Sequence, residues 1–373
     1  NALPTIAATA SPTSVVSGGS SALSASGGSS YAWSPSGGLS ATTGQSVTAT
    51  ITAQTIYTVT GTDANGCTNT GTVTVNLSAL NAGSLSGNQD VCTGAVASTI
   101  ASAAAASGGS GNYTYSWQSS TASGFASPTT LSGETGTALS FSSALSGTLY
   151  YRRRVSDASN PSAVVYTTPV LKTLRALPTI NLAASPSGNV PPGASVQLTA
   201  AVSGSGNTFA WTNSLSTTNP ITVTPTSTTS FTSTVTDQYG CQKTSSGLSV
   251  NVVALVGGVI SGAASSVCMG DTPGAISNTT AASGGSGSNY TYQWERSVIP
   301  SPIGFSTISG ATSATYSPVQ AATQNEYYRR KVTNLSISAY SNTAIYIANA
   351  LPTIAATASP TSVVSGGSSA LSA

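Results

Sequence analysis

Hydrophobic and polar residues alternate one by one along many short stretches of this chain. The clearest are residues 113–117 (YTYSW) and 290–294 (YTYQW), where every second residue is aromatic. Residues 31–33 (YAW) and 209–211 (FAW) repeat the pattern over a shorter length. Side chains two positions apart lie on the same face of a β-strand, so these aromatic residues are predicted to point together into a core. The period of two predicts half-buried strands, and no stretch has convincing helical periodicity.

Turn signals separate these strands at short intervals. Residues 63–66 (DANG) and 237–240 (DQYG) each end in glycine directly before a cysteine. Asn-Gly is a strong hairpin signal because both residues tolerate positive φ. A tryptophan in an early strand, a later aromatic strand and turns every eight to twelve residues or so are typical of an immunoglobulin-like β-sandwich, which has about seven strands.

The chain repeats itself on two scales. Residues 1–25 return letter for letter as residues 349–373, which defines a repeat period of 348 (349 minus 1). Within that period ALPTI at residues 2–6 returns at residues 176–180, an offset of 174, so the period consists of two divergent halves with two tryptophans each. The sequence thus predicts an all-β chain of four tandem immunoglobulin-like β-sandwich modules, end to end, at residues 1–80, 81–174, 175–255 and 256–348, with residues 349–373 beginning the next copy.

Composition narrows the possible functions. Charged residues make up 5% of the chain, histidine is absent, and the net charge is +2. Without histidine the usual general base and every Ser–His–Asp or Cys–His arrangement are missing, so we expect no enzyme and no cofactor. The small net charge argues against nucleic-acid binding. No apolar run is long enough to span a membrane.

Asp63 and Asp237 begin the two glycine turns. Calcium sites usually need several clustered carboxylates, and each of these aspartates is alone in its turn. The sequence favours a hydrogen bond from the turn backbone to the aspartate side chain, with a metal site as the alternative.

The chain has four cysteines, Cys67, Cys92, Cys241 and Cys268, and no CxxC pair. Together with the absence of histidine, this argues against a zinc site. The spacing within the first pair is nearly the same as within the second (92 minus 67 is 25, and 268 minus 241 is 27), which is better explained by two equivalent disulfides. Disulfides would place the protein outside the cytosol, and four free buried thiols are the alternative.

Six of the ten basic residues fall in two clusters on equivalent strands: Arg152, Arg153, Arg154, Arg329, Arg330 and Lys331. On a strand, Arg152 and Arg154 share one face, and Arg153 lies on the other with Tyr151 and Val155. One interpretation is a solvated face with one arginine stacked on an aromatic ring. The other is a contact surface for an anionic polysaccharide or for a neighbouring array.

Residues 57–67 (YTVTGTDANGC) resemble the YTVTxTDxNGC signature of PKD-like and Ig-like repeats. Those repeats occur in very large surface proteins of gliding, type IX-secreting bacteria, including gliding-motility adhesins. The second and fourth modules resemble the companion Ig-like repeat, with YxYxW, YYRRxV and a run matched by residues 305–316 (FSTISGATSATY). The resemblance covers essentially the whole chain. It implies an exported, extended array that displays or carries something at the bacterial cell surface.

In that family the cysteine of the NGC motif often has a partner early in its own module. Residues 13–18 of this chain (TSVVSG) offer none. We therefore expect disulfides that cross module junctions, from Cys67 to Cys92 and from Cys241 to Cys268. Each would stabilise the fold by about 3 to 4 kcal/mol and stiffen the array.

These observations predict a structural repeat unit of a very large secreted bacterial surface filament or stalk, with a mechanical role and with other copies of itself as partners. Two alternatives stay open. The modules could be adhesive and bind surface or glycan ligands. Alternatively, the chain could be a filament subunit in which residues 349–373 donate a strand to another subunit.

Overall fold

The computed structural model describes residues 2–212, 215–262, 264–300, 303–359 and 361–372. These residues form 33 β-strands and no α-helix, so the predicted all-β class is confirmed. Within the same ranges, no helical segment has the length and apolar character of a membrane span. The chain divides into two compact units, Asn1–Leu177 with Tyr239–Cys241, and Pro178–Gln238 with Gln242–Ala373.

The first unit begins with seven strands: β1 (Ala7–Ser11), β2 (Ser14–Val15), β3 (Gly19–Ser26), β4 (Ser30–Ser34), β5 (Ser46–Ile51), β6 (Thr55–Thr62) and β7 (Thr68–Leu77). They form two sheets in the orders β1-β3-β5 and β2-β7-β6-β4. Buried and exposed side chains alternate along β3 and β5, as strands with one solvated face require. Trp33 is 3% exposed and lies in a core to which both sheets contribute, with Leu23 and Val59.

The first unit continues with eight strands: β8 (Ser84–Ser86), β9 (Gln89–Cys92), β10 (Ala101–Ala104), β11 (Tyr113–Ser120), β12 (Thr129–Leu131), β13 (Leu149–Asp157), β14 (Asn160–Tyr166) and β15 (Val170–Arg175). The larger sheet has the order β12-β11-β13-β15-β9, with β14 against β13, and the smaller one pairs β10 with β8. Trp117 is fully buried in their core with Ile100 and Tyr151.

The second unit begins with another eight strands: β16 (Ile180–Ser185), β17 (Val196–Val202), β18 (Thr208–Trp211), β19 (Ile221–Val223), β20 (Thr229–Phe231), β21 (Ser233–Thr236), β22 (Gln242–Thr244) and β23 (Leu248–Val250). They form sheets in the orders β16-β17-β19, β18-β21-β22 and β20-β23. Trp211 is 3% exposed in the core that these strands enclose.

Eight further strands follow: β24 (Val259–Ile260), β25 (Ser265–Cys268), β26 (Asn278–Thr280), β27 (Thr291–Ser297), β28 (Ser306–Thr307), β29 (Glu326–Asn334), β30 (Ile337–Tyr340) and β31 (Ala344–Asn349). Their order, β25-β31-β29-β27-β28 with β30 against β29, repeats that of β8–β15. Trp294 is fully buried in this core. The prediction of tandem immunoglobulin-like β-sandwiches with a tryptophan in each core is confirmed, whereas the module boundaries stay a prediction.

In each of the four sandwiches an early segment runs parallel to the last strand. β2 pairs with β7, β9 with β15 and β25 with β31, and Val190 and Val252 form a parallel bridge in the third sandwich. This pairing closes one sheet and fixes where the last strand of each sandwich ends. Cys92 at the end of β9 consequently lies opposite Arg175 at the end of β15.

Within each unit the second sandwich contacts the first through the same hairpin. In the first unit, the Asn160 side chain donates to the Ser17 carbonyl (3.1 Å) and the Ser20 amide donates to the Ser159 carbonyl (3.1 Å). In the second unit the equivalent hairpin, between β29 and β30, packs Ile337 against the core around Trp211. The hairpin therefore joins neighbouring sandwiches in both units.

The SGGSG sequence shared by residues 107–111 and 283–287 has a steric cause. Gly108 and Gly284 adopt positive φ (83° and 81°), and a Cβ at either position would lie 1.8 Å from the carbonyl oxygen of Ala79 or Ala254. Only glycine fits so close to the chain that arrives from the preceding sandwich.

The last two strands, β32 (Thr357–Ser359) and β33 (Ala370–Ser372), pair with each other in the register of β1 and β3. Ala358 lies opposite Leu371, just as the equivalent Ala10 lies opposite Leu23 in the first copy. Identical sequences thus form the same hairpin. Leu23 is fully buried, whereas Leu371 is 80% exposed.

Leu23 and Leu371 provide a matched pair for measuring the sandwich core. We expect Leu23→Ala to lower the free energy of unfolding of the first sandwich by about 2 to 5 kcal/mol, because it leaves a cavity among fully buried side chains. Leu371→Ala removes the same atoms from the same hairpin where they face solvent, and should change stability by no more than about 0.5 kcal/mol. Urea unfolding followed by tryptophan fluorescence measures both; equal effects would contradict the fold.

Candidate functional site

The basic clusters lie on β13 and β29, whose side chains alternate between the core and the outer face. Arg153 and Arg330 are completely buried, whereas Arg152 and Arg329 are partly exposed. Arg153 lies opposite Trp117 in the strand register, and Arg330 lies opposite Trp294. The predicted division of faces is therefore correct, and the inward face places an arginine beside Trp117 and beside Trp294.

Arg153 joins the two sheets of its sandwich. Its Nη1 donates to the Thr137 carbonyl (2.7 Å) and to Ser102 Oγ (2.9 Å), and Ser102 belongs to β10 in the opposite sheet. Its Nη2 donates to the Ala82 carbonyl (2.8 Å). The guanidinium carbon lies 5.0 Å from the centre of the Tyr115 ring, a cation–π distance. The charge is thus compensated by dipoles and a ring, not by a carboxylate.

Arg330 repeats this arrangement in the second unit. Its Nη1 donates to the Ala314 carbonyl (2.5 Å) and to the Asn278 side chain (3.2 Å), and its Nη2 donates to the Gly257 carbonyl (3.0 Å). The Tyr292 ring centre lies 4.8 Å away. Among the described residues, neither Arg153 nor Arg330 forms an ion pair. Burial lowers the pKa of both guanidiniums, and the neighbouring tyrosine partly opposes the shift.

These positions correct part of the predicted contact surface. Arg153 and Arg330 are wrong as candidates for polyanion or inter-array contact, because their donors are directed at carbonyls inside the sandwich. Arg152, Arg154, Arg329 and Lys331 lie on the outer face, where each is partly exposed. Their predicted contact with a polyanion or another array stays a prediction.

On the outer face, Arg152 and Arg329 are each held between two aromatic rings. The Arg152 guanidinium lies 4.2 Å from the Phe125 ring centre and 3.9 Å from that of Tyr166. Arg329 has the same relation to Phe305 (4.1 Å) and Tyr340 (3.9 Å). The predicted stacking of an arginine on an aromatic ring is confirmed, and it occurs on both faces of the strand.

Lys172 and Glu326 are among the buried charged residues that were not predicted from the sequence. Lys172 is fully buried, donates to Gln89 Oε1 (3.0 Å) and Ser98 Oγ (3.1 Å), and has its pKa lowered by burial. Glu326 is fully buried, forms an ion pair with Arg296 and accepts a hydrogen bond from the Tyr328 hydroxyl (2.5 Å). Strand alternation could have found Glu326, since it lies two and four positions before the inward Tyr328 and Arg330.

A cavity of about 400 Å³ opens beside this group, lined by Arg296, Tyr316, Val319 and Tyr328 among others. Burial, followed by the hydrogen bond and charge of Glu326, raises the pKa of Tyr328. In the described parts of the chain, no group of three or more histidine, cysteine, aspartate or glutamate side chains is placed to hold a metal ion.

The predicted role of Asp63 is confirmed. Its Oδ1 accepts hydrogen bonds from the amides of Asn65 (2.8 Å) and Cys67 (2.9 Å), which shapes the turn between β6 and β7.

The cysteines pair differently from the prediction. Cys92 and Cys241 form a disulfide with a Cα–Cα distance of 5.5 Å, and Cys67 and Cys268 are free. The predicted pairs, Cys67 with Cys92 and Cys241 with Cys268, are therefore wrong.

Strand direction explains the error. Cys67 lies at the far end of β7 from the second sandwich, and Asn69, just beyond it, donates to the Pro4 carbonyl (2.8 Å) near the start of the chain. Cys92 lies beside Arg175, where the second sandwich ends. Strand β7 alone spans about 30 Å, so a Cys67–Cys92 bond is out of reach. Each cysteine is directed away from the junction that the prediction assigned to it.

Asp157 orders the hairpin that contacts the first sandwich. Its Oδ2 accepts from the Ser110 amide (2.8 Å) and hydroxyl (3.1 Å), and its Oδ1 accepts from the amide (2.8 Å) and hydroxyl of Ser159. Burial raises the pKa of this carboxyl, but the hydrogen bonds from Ser159 and Ser110 outweigh that effect and hold the pKa below its usual value. Asn334 occupies the equivalent position in the second unit.

We expect the buried arginine to be essential for the second sandwich. Arg153→Met leaves the buried Ala82 carbonyl unpaired inside the core, and should lower the free energy of unfolding by roughly 1 to 3 kcal/mol. Arg153→Lys keeps the charge but loses the planar fork, and should also be destabilising. Arg154→Ser on the outer face is the control, with an expected effect within about 0.5 kcal/mol. Urea unfolding followed by the fluorescence of the four tryptophans is the measurement, and an Arg153→Met protein as stable as the parent would disprove the role.

The low pKa of Asp157 makes the hairpin contact sensitive to acid. A carboxyl whose pKa is lower in the folded state stabilises above its unfolded pKa of 3.8, and this contribution is lost as the pH falls through the folded pKa. Asp157→Asn should therefore be destabilising at pH 7 by roughly 1.5 to 3 kcal/mol, the value of a hydrogen bond to a charged group.

The difference between the parent and Asp157→Asn should shrink below about pH 4, measured by urea unfolding across pH 2 to 7 or so. Asp271→Asn, which makes the same change at an exposed position, is the control for the substitution itself. A difference that is constant with pH would contradict the assignment.

Several solved multi-domain structures are similar to this chain at low sequence identity. Immunoglobulin domains 1-5 of Sidekick-1 are 13% identical, with 90% of this chain and 78% of that chain covered and a TM-score of 0.32. A Dscam structure is 10% identical, with 90% of this chain and 96% of that chain covered and a TM-score of 0.24. Domains A168-A170 of titin are 12% identical, with 74% of this chain and 99% of that chain covered and a TM-score of 0.25. None of the curated proteins matches the chain in sequence.

A family profile matches two parts of the chain, residues 81–173 and 256–349. These parts contain β8–β15 and β24–β31, the sandwiches with the buried arginines. Together they make up just over half of the 373 residues (93 plus 94 is 187). The chain therefore belongs to the family described as Domain of unknown function (DUF8696).

Proposed function

We propose that this chain is a structural repeat unit of an extracellular fibre, in which copies of the repeat period follow one another covalently and resist tension. The role is mechanical and not enzymatic. The observation that carries the proposal is the hairpin of β32 and β33, which has the sequence and the register of β1 and β3.

The exposure of the terminal hairpin supports a continuing array. Leu371 and Val364 are 80% and 84% exposed, whereas their equivalents Leu23 and Val16 are 0% and 4% exposed. In the first sandwich Leu23 lies in a core to which later strands contribute Val47, Tyr57 and Val75. A following copy of the same strands would remove the exposed apolar surface from water.

The same hairpin is evidence against strand donation as the mode of assembly. A donated strand pairs with the sheet of a partner, whereas β32 and β33 pair with each other. Residues 349–373 are thus better explained as the start of the next sandwich.

The disulfide supports an extracellular location and a limit on extension. Such bonds persist in oxidising compartments. Cys92 and Cys241 are 149 residues apart, so the residues between them cannot be drawn out while the bond is intact. The resemblance of residues 57–67 to repeats of gliding-motility adhesins gives the finer proposal of a bacterial, type IX-secreted surface filament.

An adhesive function is a second candidate, for which exposed aromatic side chains in a groove would be the sign. Tyr166 and Tyr340 are 43% and 46% exposed, and each stacks on an arginine. Their rings are thus engaged within the protein on one side. The cavity beside Arg296, of about 400 Å³, is one place where a small ligand would fit.

Denaturing and microscopy experiments on native surface material test the fibre. Boiled and fully reduced material should migrate as one very large polypeptide, because copies joined by peptide bonds survive these conditions. Subunits held by strand donation would fall to a single repeat-sized band, which would refute the proposal. Electron microscopy with an antibody fragment against residues 303–319 should show labels about 120 to 160 Å apart, from four sandwiches of about 30 to 40 Å each.

A further inference from the structure

The free Cys268 occupies the same structural position as the bonded Cys92. Cys92 ends β9 and lies opposite Arg175 in a parallel pair, and Cys268 ends β25 and lies opposite Asn349 in a parallel pair. The backbone continues alike, since the Thr93 amide donates to Arg175 O (2.8 Å) and the Met269 amide donates to Asn349 O (2.9 Å). Cys268 is exposed, so its thiol is accessible to a partner.

The free Cys67 likewise matches the bonded Cys241. Each follows the glycine of a four-residue turn, Gly66 with φ 81° and Gly240 with φ 83°. The strands on either side pair in the same register, with Thr62 opposite Thr68 in the first half of the period and Thr236 opposite Gln242 in the second. The turn therefore presents both cysteines in the same way.

The spacing along the chain completes the match. The offset from Arg175 to Cys241 is 66 (241 minus 175). Asn349 is the first residue of the repeated sequence, and in the first copy the offset from the equivalent Asn1 to Cys67 is also 66 (67 minus 1). A next copy would therefore present its cysteine to Cys268 at the spacing at which Cys241 meets Cys92.

We propose that Cys268 forms a disulfide with the Cys67 equivalent of the following repeat copy, and that Cys67 correspondingly pairs with the Cys268 equivalent of the preceding copy. This inference rests on the proposed tandem array. The direction is consistent at both ends: Cys268 lies where β31 ends, and the Cys67 turn lies beside Pro4, near the start of its own sandwich. Each half of the repeat period would then have one disulfide, which links the second sandwich of that half to the sandwich that follows it.

The bond forms by thiol–disulfide exchange. The two thiols lose two protons and two electrons, one S–S bond forms between them, and the disulfide of an oxidised thiol–disulfide oxidoreductase, or glutathione disulfide in vitro, is reduced to two thiols.

The new bond has less support around it than its counterpart has. Arg175 forms an ion pair with Asp90 (2.7 Å) and stacks on Tyr239 (3.8 Å). The corresponding positions at the next junction are Asn349 in place of Arg175 and the equivalent of Asn65 in place of Tyr239. The disulfide is thus the contact that would be common to the junction at Cys92 and Cys241 and to the junction between Cys268 and the next copy.

A lengthened chain tests the proposal directly. Residues 26–80 are repeated after Ala373, so that the final hairpin can complete its sandwich. The original chain and the lengthened chain are both refolded with a glutathione redox buffer. The original chain should titrate with two free thiols and the lengthened chain, which has five cysteines, with one. Peptide mapping without reduction should find Cys268 joined to a Cys67-type peptide in the lengthened chain, and Cys92 joined to Cys241 in both chains.

Two variants of the lengthened chain identify the partner. Cys67→Ser in the first copy alone should leave no free thiol and preserve the linked peptide, because the added copy supplies the only remaining Cys67. Cys268→Ser should leave two free thiols. A lengthened chain in which Cys268 stays free while Cys92–Cys241 forms, or in which Cys268 joins a second molecule as a covalent dimer, overturns the inference.

The failure of the array itself gives a different result. If the added residues complete the sandwich, amides of 370–372 become protected from hydrogen exchange. Protection with free thiols refutes the disulfide and leaves the array intact. If the amides stay unprotected and the Cys268 thiol stays free, the array is refuted and, with it, the disulfide.

Discussion

The parallel pairing of an early segment with the last strand determines much of the remaining architecture. It occurs in all four sandwiches, through β2 with β7, β9 with β15, β25 with β31 and the bridge between Val190 and Val252. The pairing brings a residue close to the beginning of a sandwich beside the place where the chain leaves it. In the second sandwich that residue is Cys92, which is why it bonds to a cysteine 149 residues later and not to the earlier Cys67.

A buried guanidinium gives the two family sandwiches a polar centre that their composition does not suggest. Charged residues are 5% of the chain, yet Arg153 and Arg330 are both fully buried beside a tryptophan. Each connects the two sheets through carbonyls and one polar side chain, so it fixes their separation and orientation in a way that apolar packing alone does not. Replacing such a group by an apolar one leaves the buried carbonyl of Ala82 or Gly257 without a partner, a cost larger than that of losing the same contact at the surface.

The sequence predicts the strands better than it predicts their partners. Alternation in YTYSW and YTYQW correctly placed the aromatic residues on one face and Trp117 and Trp294 in the cores. The same rule placed Arg153 with Tyr151 and Val155, both of which are buried, but Arg153 was still predicted to be a surface contact because a buried arginine needs acceptors that the pattern does not show. The acceptors of the arginine come from residues far away in sequence, such as Ala82, and alternation does not reach them.

The disulfides show the other limit of sequence reasoning. The predicted pairs joined the cysteines that are nearest along the chain, and ignored the direction in which β7 and β9 run. A β-sandwich separates residues that are close in sequence by the full length of a strand, about 30 Å here. Spatial neighbours are therefore set by which end of a sandwich each cysteine occupies.

The disulfide between Cys92 and Cys241 also determines which part of the chain can be extended under tension. With the bond intact, the 149-residue separation is removed from the contour that unfolding could release, which is about 500 Å at roughly 3.4 Å per residue. Reduction of the disulfide makes that length available for extension. The redox state of one bond would thus decide whether the same polypeptide behaves as a short stiff tether or as a long compliant one under load.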